Sequence, residues 1–316
     1  MRIRATMVQR AEAYLAARRK LGFQLRIEGG EILRFARYAD GSGHRGPITT
    51  EIALRWAQSA EKATPLYRAR RLEVVRCFAK HQASIEPDTE IPPARLLGPA
   101  HRRTQPHIYS EEQIRELLRL AGALPSPQGL RARTYVSLIG LLTAAGLRIS
   151  EALRLRREDA DLDAGVLTIR ETKFHKSRLV PLHPSATEAL RTYVVARARV
   201  LPRLDGTAFF VSEAGRALAY STVRIVFRHL VDQVVRDRPP GARRPRLHDL
   251  RHSFACRCLL RWLRDDVDVH ARIAALSTYL GHAKVSDTYW YLTGVPELMA
   301  ITAARFERFA SERRHR

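Results

Sequence analysis

Cysteine, methionine and tryptophan are scarce in this chain, with three residues of each among 316, and acidic side chains are in short supply relative to basic ones. Cys77, Cys256 and Cys258 form no C-x-x-C pair, and positions two apart on a helix point away from each other, so neither a disulfide framework nor a zinc site is indicated. His248 and His252 have the spacing of helical metal ligands, but no H-E-x-x-H glutamate or third ligand accompanies them, so neither metal nor cofactor is expected. No apolar run approaches the roughly 20 residues of a membrane-spanning helix, and the opening M-R-I-R-A-T-M-V-Q-R lacks the apolar core of a signal peptide. A cytoplasmic protein with no membrane partner is the expectation.

What is present in excess is positive charge. Against 32 Asp and Glu stand 55 Lys and Arg, a formal net charge of +23. That is far more than solubility requires and points to a polyanionic partner, double-stranded DNA before any anionic surface. Localisation with the nucleoid follows from that reading.

Apolar spacing predicts helices over 5–20, 31–38, a third containing Ile52, Ala53, Leu54 and Trp56 with Thr49 or Thr50 as cap, and a fourth over 66–81, together a small all-helical unit over 1–90. Its last helix carries Arg68, Arg70, Arg71, Arg76 and Lys80, a candidate phosphate-binding face, with Arg68 and Arg71 as DNA contacts. Pro87, Pro92, Pro93, Pro99 and Pro106 restrict the backbone over 86–107, so 91–107 reads as an extended linker to a second domain at 108–316. Ser110 with Gln113 predicts a capping box, and an apolar helix over 134–145 stops at Gly146. Arg148 follows at once, before a helix that Ser150 caps. An isolated arginine there would simply pair with Glu151 or Glu158. Alternation in V-L-T-I-R (166–170) and R-L-V-P-L (178–182) predicts a hairpin with Lys173–Ser177 in its turn. Further helices are predicted over 184–199 and 221–236. The proline-rich cationic run 236–246 reads as a DNA-facing loop through Arg243, Arg244 and Arg246. The fold class is mainly α with a small antiparallel sheet.

In L-H-D-L-R-H-S-F-A (247–255), His248 and Arg251 stand three apart and share one helix face, a candidate anion site. In L-G-H-A-K-V-S-D-T-Y-W-Y (280–291) a glycine turn presents His282, and a short helix carries Tyr289 and Tyr291. Two arginines, imidazoles and a phenol fit phosphodiester cleavage: the arginines neutralise phosphate oxygens, a tyrosine attacks, and a base takes its proton. A base or cationic setting is needed because a tyrosine of ordinary pKa is ionised only to about one part in a thousand at neutral pH. Asp249 and Glu151 suit capping and orienting roles, since a carboxylate facing the phosphate would repel it.

These four stretches, G-L-R-I-S-E-A-L, T-K-F-H-K-S-R-L-V-P-L, H-x-x-R and L-G-H with a tyrosine nine positions on, resemble the tyrosine recombinase (phage integrase) family over about 108–295. The resemblance implies a two-domain DNA clamp, with a SAM-like helical core-binding domain over 1–90 and a catalytic domain over 108–316. It implies a site-specific recombinase or integrase of a mobile element that cleaves and rejoins DNA through a 3′-phosphotyrosine, without metal or ATP, as a homotetramer on paired sites. Accessory recombinases or DNA-bending proteins are further partners it implies. It selects Arg148, Lys173, His248, Arg251, His282 and Tyr291 as catalytic, with Tyr291 the nucleophile, His248 taking its proton, His282 bonding a phosphate oxygen and Lys173 protonating the leaving oxygen. Lys176 and Arg178 fit backbone contacts. A type IB-like topoisomerase, or an inert DNA-binding relative, is the competing reading. The segment 296–310, with Leu298, Met299, Phe306 and Phe309 on one side, is the candidate for coupling protomers, the alternative being that it folds back onto its own domain.

Overall fold

The computed structural model describes residues 5–101, 105–170, 177–239, 241–265, 267–294, 299–300 and 303. The chain divides into two compact units, Met1–Thr104 and Gln105–Arg316.

The first unit holds α1 (Met7–Lys20), α2 (Arg26–Gly41), α3 (Thr50–Gln58) and α4 (Pro65–Ala83). Threonine side chains begin three of them: Thr6 in a full capping box with Gln9, Thr49 accepting from the Ile52 amide and Thr64 from the Tyr67 amide. Ile32, Phe35, Ile52, Trp56, Val75 and Phe78 form the core. The proline-bearing stretch after α4 forms neither helix nor strand up to residue 101. It is tied to its own unit, because Arg76 donates to the Pro92 carbonyl at 3.0 Å and Arg70 to the Ala100 carbonyl at 3.2 Å.

The second unit opens with α5 (Glu111–Gly122), whose Ser110–Gln113 capping box is complete, and α6 (Leu130–Ala145), buried on nearly every side. The helix α7 (Ile149–Arg154) follows. Ser150, expected as its cap, lies inside it; Arg148 is the N-cap residue, and Glu151 at the third helical position reaches back to accept from the Arg148 amide at 3.0 Å, the glutamate half of a capping box. Three short antiparallel strands pair in the order β1 (Ala160–Asp161), β2 (Val166–Ile169), β3 (Arg178–Pro181). Leu167 opposite Val180 faces the core, while Thr168 opposite Leu179 faces outward. Ile169 pairs with Arg178, so a register fixed by buried side chains sets where Arg178 stands.

The helices α8 (Pro184–Val200) and α9 (Tyr220–Val234) complete the main core with Tyr193, Phe209, Phe210 and Phe227. A second cluster joins α10 (Leu247–Arg264), α11 (Val269–Leu280) and α12 (Ser286–Gly294) through Cys256, Leu259, Leu276, Leu280 and Tyr291. The stretch between α10 and α11 is closed by Asp268, whose carboxylate accepts from the amides of His270 and Ala271. Among the described residues no helix is long and apolar enough to cross a membrane, and no group of three or more His, Cys, Asp or Glu is placed to hold a metal.

Candidate active site

The site is assembled around two glycine turns. Gly146 ends α6 with φ +59°, and a Cβ there would come within 2.4 Å of the Phe254 ring. Gly281 ends α11 with φ +67°; its amide bonds the Thr278 carbonyl, and the His282 amide bonds that of Ser277. This is the paired bonding of a Schellman cap, and it requires the left-handed conformation that glycine adopts without penalty.

The carbonyls these ends leave over are met by arginines. Arg178 Nε donates to Tyr279 O at 2.8 Å, Arg251 Nη2 to Leu280 O at 2.6 Å and Arg148 Nη2 to Gly281 O at 2.8 Å. Arg251 Nη1 also donates to Gly146 O at 2.9 Å. Arg251, 1% exposed, thus lies between the negative ends of α6 and α11. That placement offsets the cost of burying a cation, which without partners would be several kcal/mol. Burial still pushes its pKa down to about 10, leaving it charged at neutral pH. Of the five N–H donors of a guanidinium, the carbonyl bonds of Arg251 use two.

Glu151, 3% exposed, accepts from Arg148 Nη1 at 2.8 Å and from Arg178 Nη1 and Nη2 at 3.1 and 2.9 Å. Burial works to raise its pKa, but the bonds and charge of Arg178, with the bonds from Arg148, outweigh it and hold the carboxyl down at about 2. The surface pairing with Glu151 that an isolated Arg148 would make is therefore present, but it is half-buried and part of a larger cluster.

At the start of α10, Asp249 is fully buried, caps the helix through the Arg246 amide at 2.8 Å and receives Arg243 on both oxygens at 3.0 Å. The ring of His248 stands edge-on to that of His252, centroids 4.7 Å apart. His252 Nδ1 and the Tyr291 hydroxyl share a 2.9 Å hydrogen bond. His282 Nδ1 and Thr288 Oγ1 share one of 2.7 Å, which leaves Nε2 as the other ring nitrogen. The His282 and Tyr291 rings are near parallel, 6.3 Å between centroids. Burial first, then the charge of Arg251, lowers His248 and His282 to about 4. Burial, then the charge of His248 and Arg251, takes His252 to about 3. Tyr291, 2% exposed, is pushed up to about 12 by burial, against the pull of Arg251. All three imidazoles are neutral at pH 7 and the phenol is protonated.

Arg148, His248, Arg251, His282 and Tyr291 thus converge in one unit. Lys173 and Lys176 lie outside the described residues, as does most of the 296–310 stripe, of which Met299 is exposed. Two expected DNA contacts are corrected. Arg178 is turned inward, its side chain 11% exposed and all three guanidinium nitrogens bonded, because the strand register points it at Glu151 and the Gly281 turn. Arg71 is buried with its guanidinium 4.0 Å from the Trp56 ring centre, since it lies on the core side of α4. Arg68 donates to the Ala60 and Glu61 carbonyls, Arg243 is held on Asp249, Arg244 pairs with Asp232 at 3.0 Å, and Arg246 remains exposed. His252, weighed from sequence only as a metal ligand, is the residue that sequence reasoning missed; its place four after His248 and one after Arg251 was the available signal.

The chain matches the Phage integrase family over residues 108–295. It is 42% identical over 310 residues to "Putative integrase/recombinase y4rB" of Sinorhizobium fredii, covering 96% of this chain and 98% of that protein. It is 31% identical over 234 residues to tyrosine recombinase XerD of Caulobacter vibrioides, covering 73% of this chain and 72% of that one. In fold it is similar to XerH site-specific recombinase, solved in a post-cleavage complex with its palindromic difH substrate, with TM-score 0.67, 18% identity and coverage of 96% and 86%.

Proposed function

The chain belongs to the phage integrase family of tyrosine recombinases, and from that premise we propose that it recombines DNA for a mobile genetic element through a 3′-phosphotyrosine at Tyr291. The relatedness to an integrase/recombinase over nearly the whole chain, and to a tyrosine recombinase over 73% of it, favours recombination over the topoisomerase reading. The observation that carries the proposal is the convergence of Arg148, Arg251, His248, His282 and Tyr291 about the two glycine turns.

Arg148 and Arg251 bind the non-bridging oxygens of the scissile phosphate with the N–H groups their carbonyl bonds leave over, and His282 donates to one of the same oxygens. Fixed charges aimed at the pentacoordinate transition state contribute several kcal/mol in a site of this kind. Tyr291 Oη attacks phosphorus, Lys173 protonates the leaving 5′ oxygen, and an incoming 5′ hydroxyl reverses the step, so the bond energy is kept in the phosphotyrosine. The guanidinium charge does what a metal ion does elsewhere, so neither metal nor ATP is needed.

The pKa values bear on timing. Burial pushes the Tyr291 phenol up and the His248 imidazole down, so the phenol is protonated and the imidazole neutral before attack. The proton therefore leaves Tyr291 as the bond to phosphorus forms, with His248 as acceptor. His252 holds the resting phenol through their shared hydrogen bond.

Double-stranded DNA is the partner, gripped by both units, with Arg246 among its outward cations. A homotetramer on two paired sites supplies the four tyrosines that exchanging two duplexes requires. The test is a supercoiled plasmid carrying two copies of the repeats that flank the gene: recombined circles or deletion products are expected. Relaxation of a plasmid with no such repeats, and no recombination of one that has them, would refute the proposal.

A further inference from the structure

Glu151 sets a problem for the site. A buried, ionised carboxylate bonded to Arg148 would cancel the charge that Arg148 brings to the phosphate, and a neutral pair is a poor anion binder. The cluster resolves this with a second cation. Each Glu151 oxygen accepts from both arginines: Oε1 from Arg148 Nη1 and Arg178 Nη1, Oε2 from the Arg148 amide and Arg178 Nη2. With Arg251 alongside, Arg148, Glu151, Arg178 and Arg251 carry charges of +1, −1, +1 and +1, which leaves +2 facing a phosphate of −1.

Arg178 is also a mechanical link. It is the first residue of β3, paired with Ile169 at the end of β2, and its Nε holds the Tyr279 carbonyl at the end of α11. A Cβ on Gly281 would come within 2.9 Å of its Nη1, so guanidinium and turn are packed directly on each other. The same turn gives its next two carbonyls to Arg251 and Arg148.

We infer that Arg178 is a positioning residue for cleavage: by countering Glu151 it keeps the charge of Arg148 directed at the scissile phosphate, and it fixes the hairpin and the Gly281 turn in one frame. The inference rests on the recombinase reading above. Arg178 does not touch the DNA; it acts through Arg148.

The test is single-turnover cleavage of a nicked duplex by Arg178→Met, Glu151→Gln and the double variant, with binding of the same duplex measured in parallel. Arg178→Met is expected to slow cleavage on the order of 10- to 100-fold, as for a group displaced by an ångström, with Kd changed less than about 3-fold. Glu151→Gln in that background removes the charge that needed countering and is expected to recover cleavage by roughly 5-fold or more. The second arm replaces the scissile phosphate by a methylphosphonate. With one oxygen charge gone, less is asked of Arg148, and the Arg178→Met penalty should shrink. Additive losses in the double variant, or an equal penalty on both substrates, would show a merely structural role and overturn the inference. Should Arg178→Met unfold at the assay temperature, Arg178→Lys is compared on the two substrates by the same criterion. Wild type that cleaves neither substrate would instead count against the recombinase reading itself.

Discussion

Replacing Gly146 by alanine tests how tightly the turn before Arg148 is built. The residue sits at φ +59° and its new Cβ would lie 2.4, 2.9 and 3.1 Å from Cδ1, Cγ and Cε1 of Phe254. That ring cannot swing freely, since it is stacked on Tyr279 with centroids 5.7 Å apart. A left-handed alanine costs about 1–2 kcal/mol, and forcing an extra methyl against a packed ring about 1–3 kcal/mol more. The total of roughly 2–5 kcal/mol, at about 2–4 °C per kcal/mol for a unit of this size, lowers the melting temperature by around 10 °C. Gly146 O also accepts from Arg251, so cleavage should fall further than stability accounts for. The assay is urea unfolding of the full chain combined with Phe254→Ala in a double-mutant cycle. With the ring gone, Gly146→Ala should cost only its backbone share, about 1–2 kcal/mol. An equal cost in both backgrounds, or a single variant within about 0.5 kcal/mol of wild type, would refute the reasoning.

Other outcomes follow from the same site. His248, His252 and His282 are held at about 4, 3 and 4, below the 6.5 of a free histidine, so the unfolded chain binds more protons between those values. Stability is complete above about pH 6.5 and falls as pH drops toward 4, by at most about 2 kcal/mol per histidine at pH 5 before solvent screening is allowed for. Melting temperatures that stay level from pH 7 to 5 would contradict this. Glu151, at about 2, adds a further loss between about pH 4.5 and 2. Cleavage should proceed unchanged in EDTA, while binding weakens steeply with salt as phosphate counterions are released; a requirement for added Mg²⁺ would count against the charge assignment. Removal of residues 296–316 should leave single-site binding near wild type and abolish paired-site complexes in native gels, and loss of single-site binding would argue that the stripe packs on its own domain.

Much of this was legible in the sequence for identifiable reasons. Helix ends announce themselves where a local residue does the capping, by its side chain at Thr49 and Ser110 and by its left-handed backbone at Gly146. The Arg148 cap was read two residues late, as Ser150, because the side chain that bonds its amide is a glutamate three residues on, whose rotamer only the packed site fixes. Arg71 and Arg178 were read as outward because arginine usually is. Their partners Trp56, Glu31 and Glu151 are 15, 40 and 27 positions away in sequence, and no local pattern reports such a pairing. His252 was hidden by its neighbours in the motif: spacing placed it on the His248 face, but the hydroxyl it meets arrives on another helix, 39 residues later.

The central claim is that Tyr291 is the nucleophile in a site built by the arginines. A duplex nicked just beyond the cleavage position loses its short fragment on cleavage and traps the covalent complex, and proteolysis then locates the attached peptide. The adduct is expected on Tyr291, absent from Tyr291→Phe, with DNA binding in that variant nearly unchanged, because one hydroxyl is removed from a site held by phosphate contacts. An adduct on Tyr289, whose hydroxyl instead lies 3.3 Å from His270 Nδ1, or no adduct from the wild-type protein, would contradict the account.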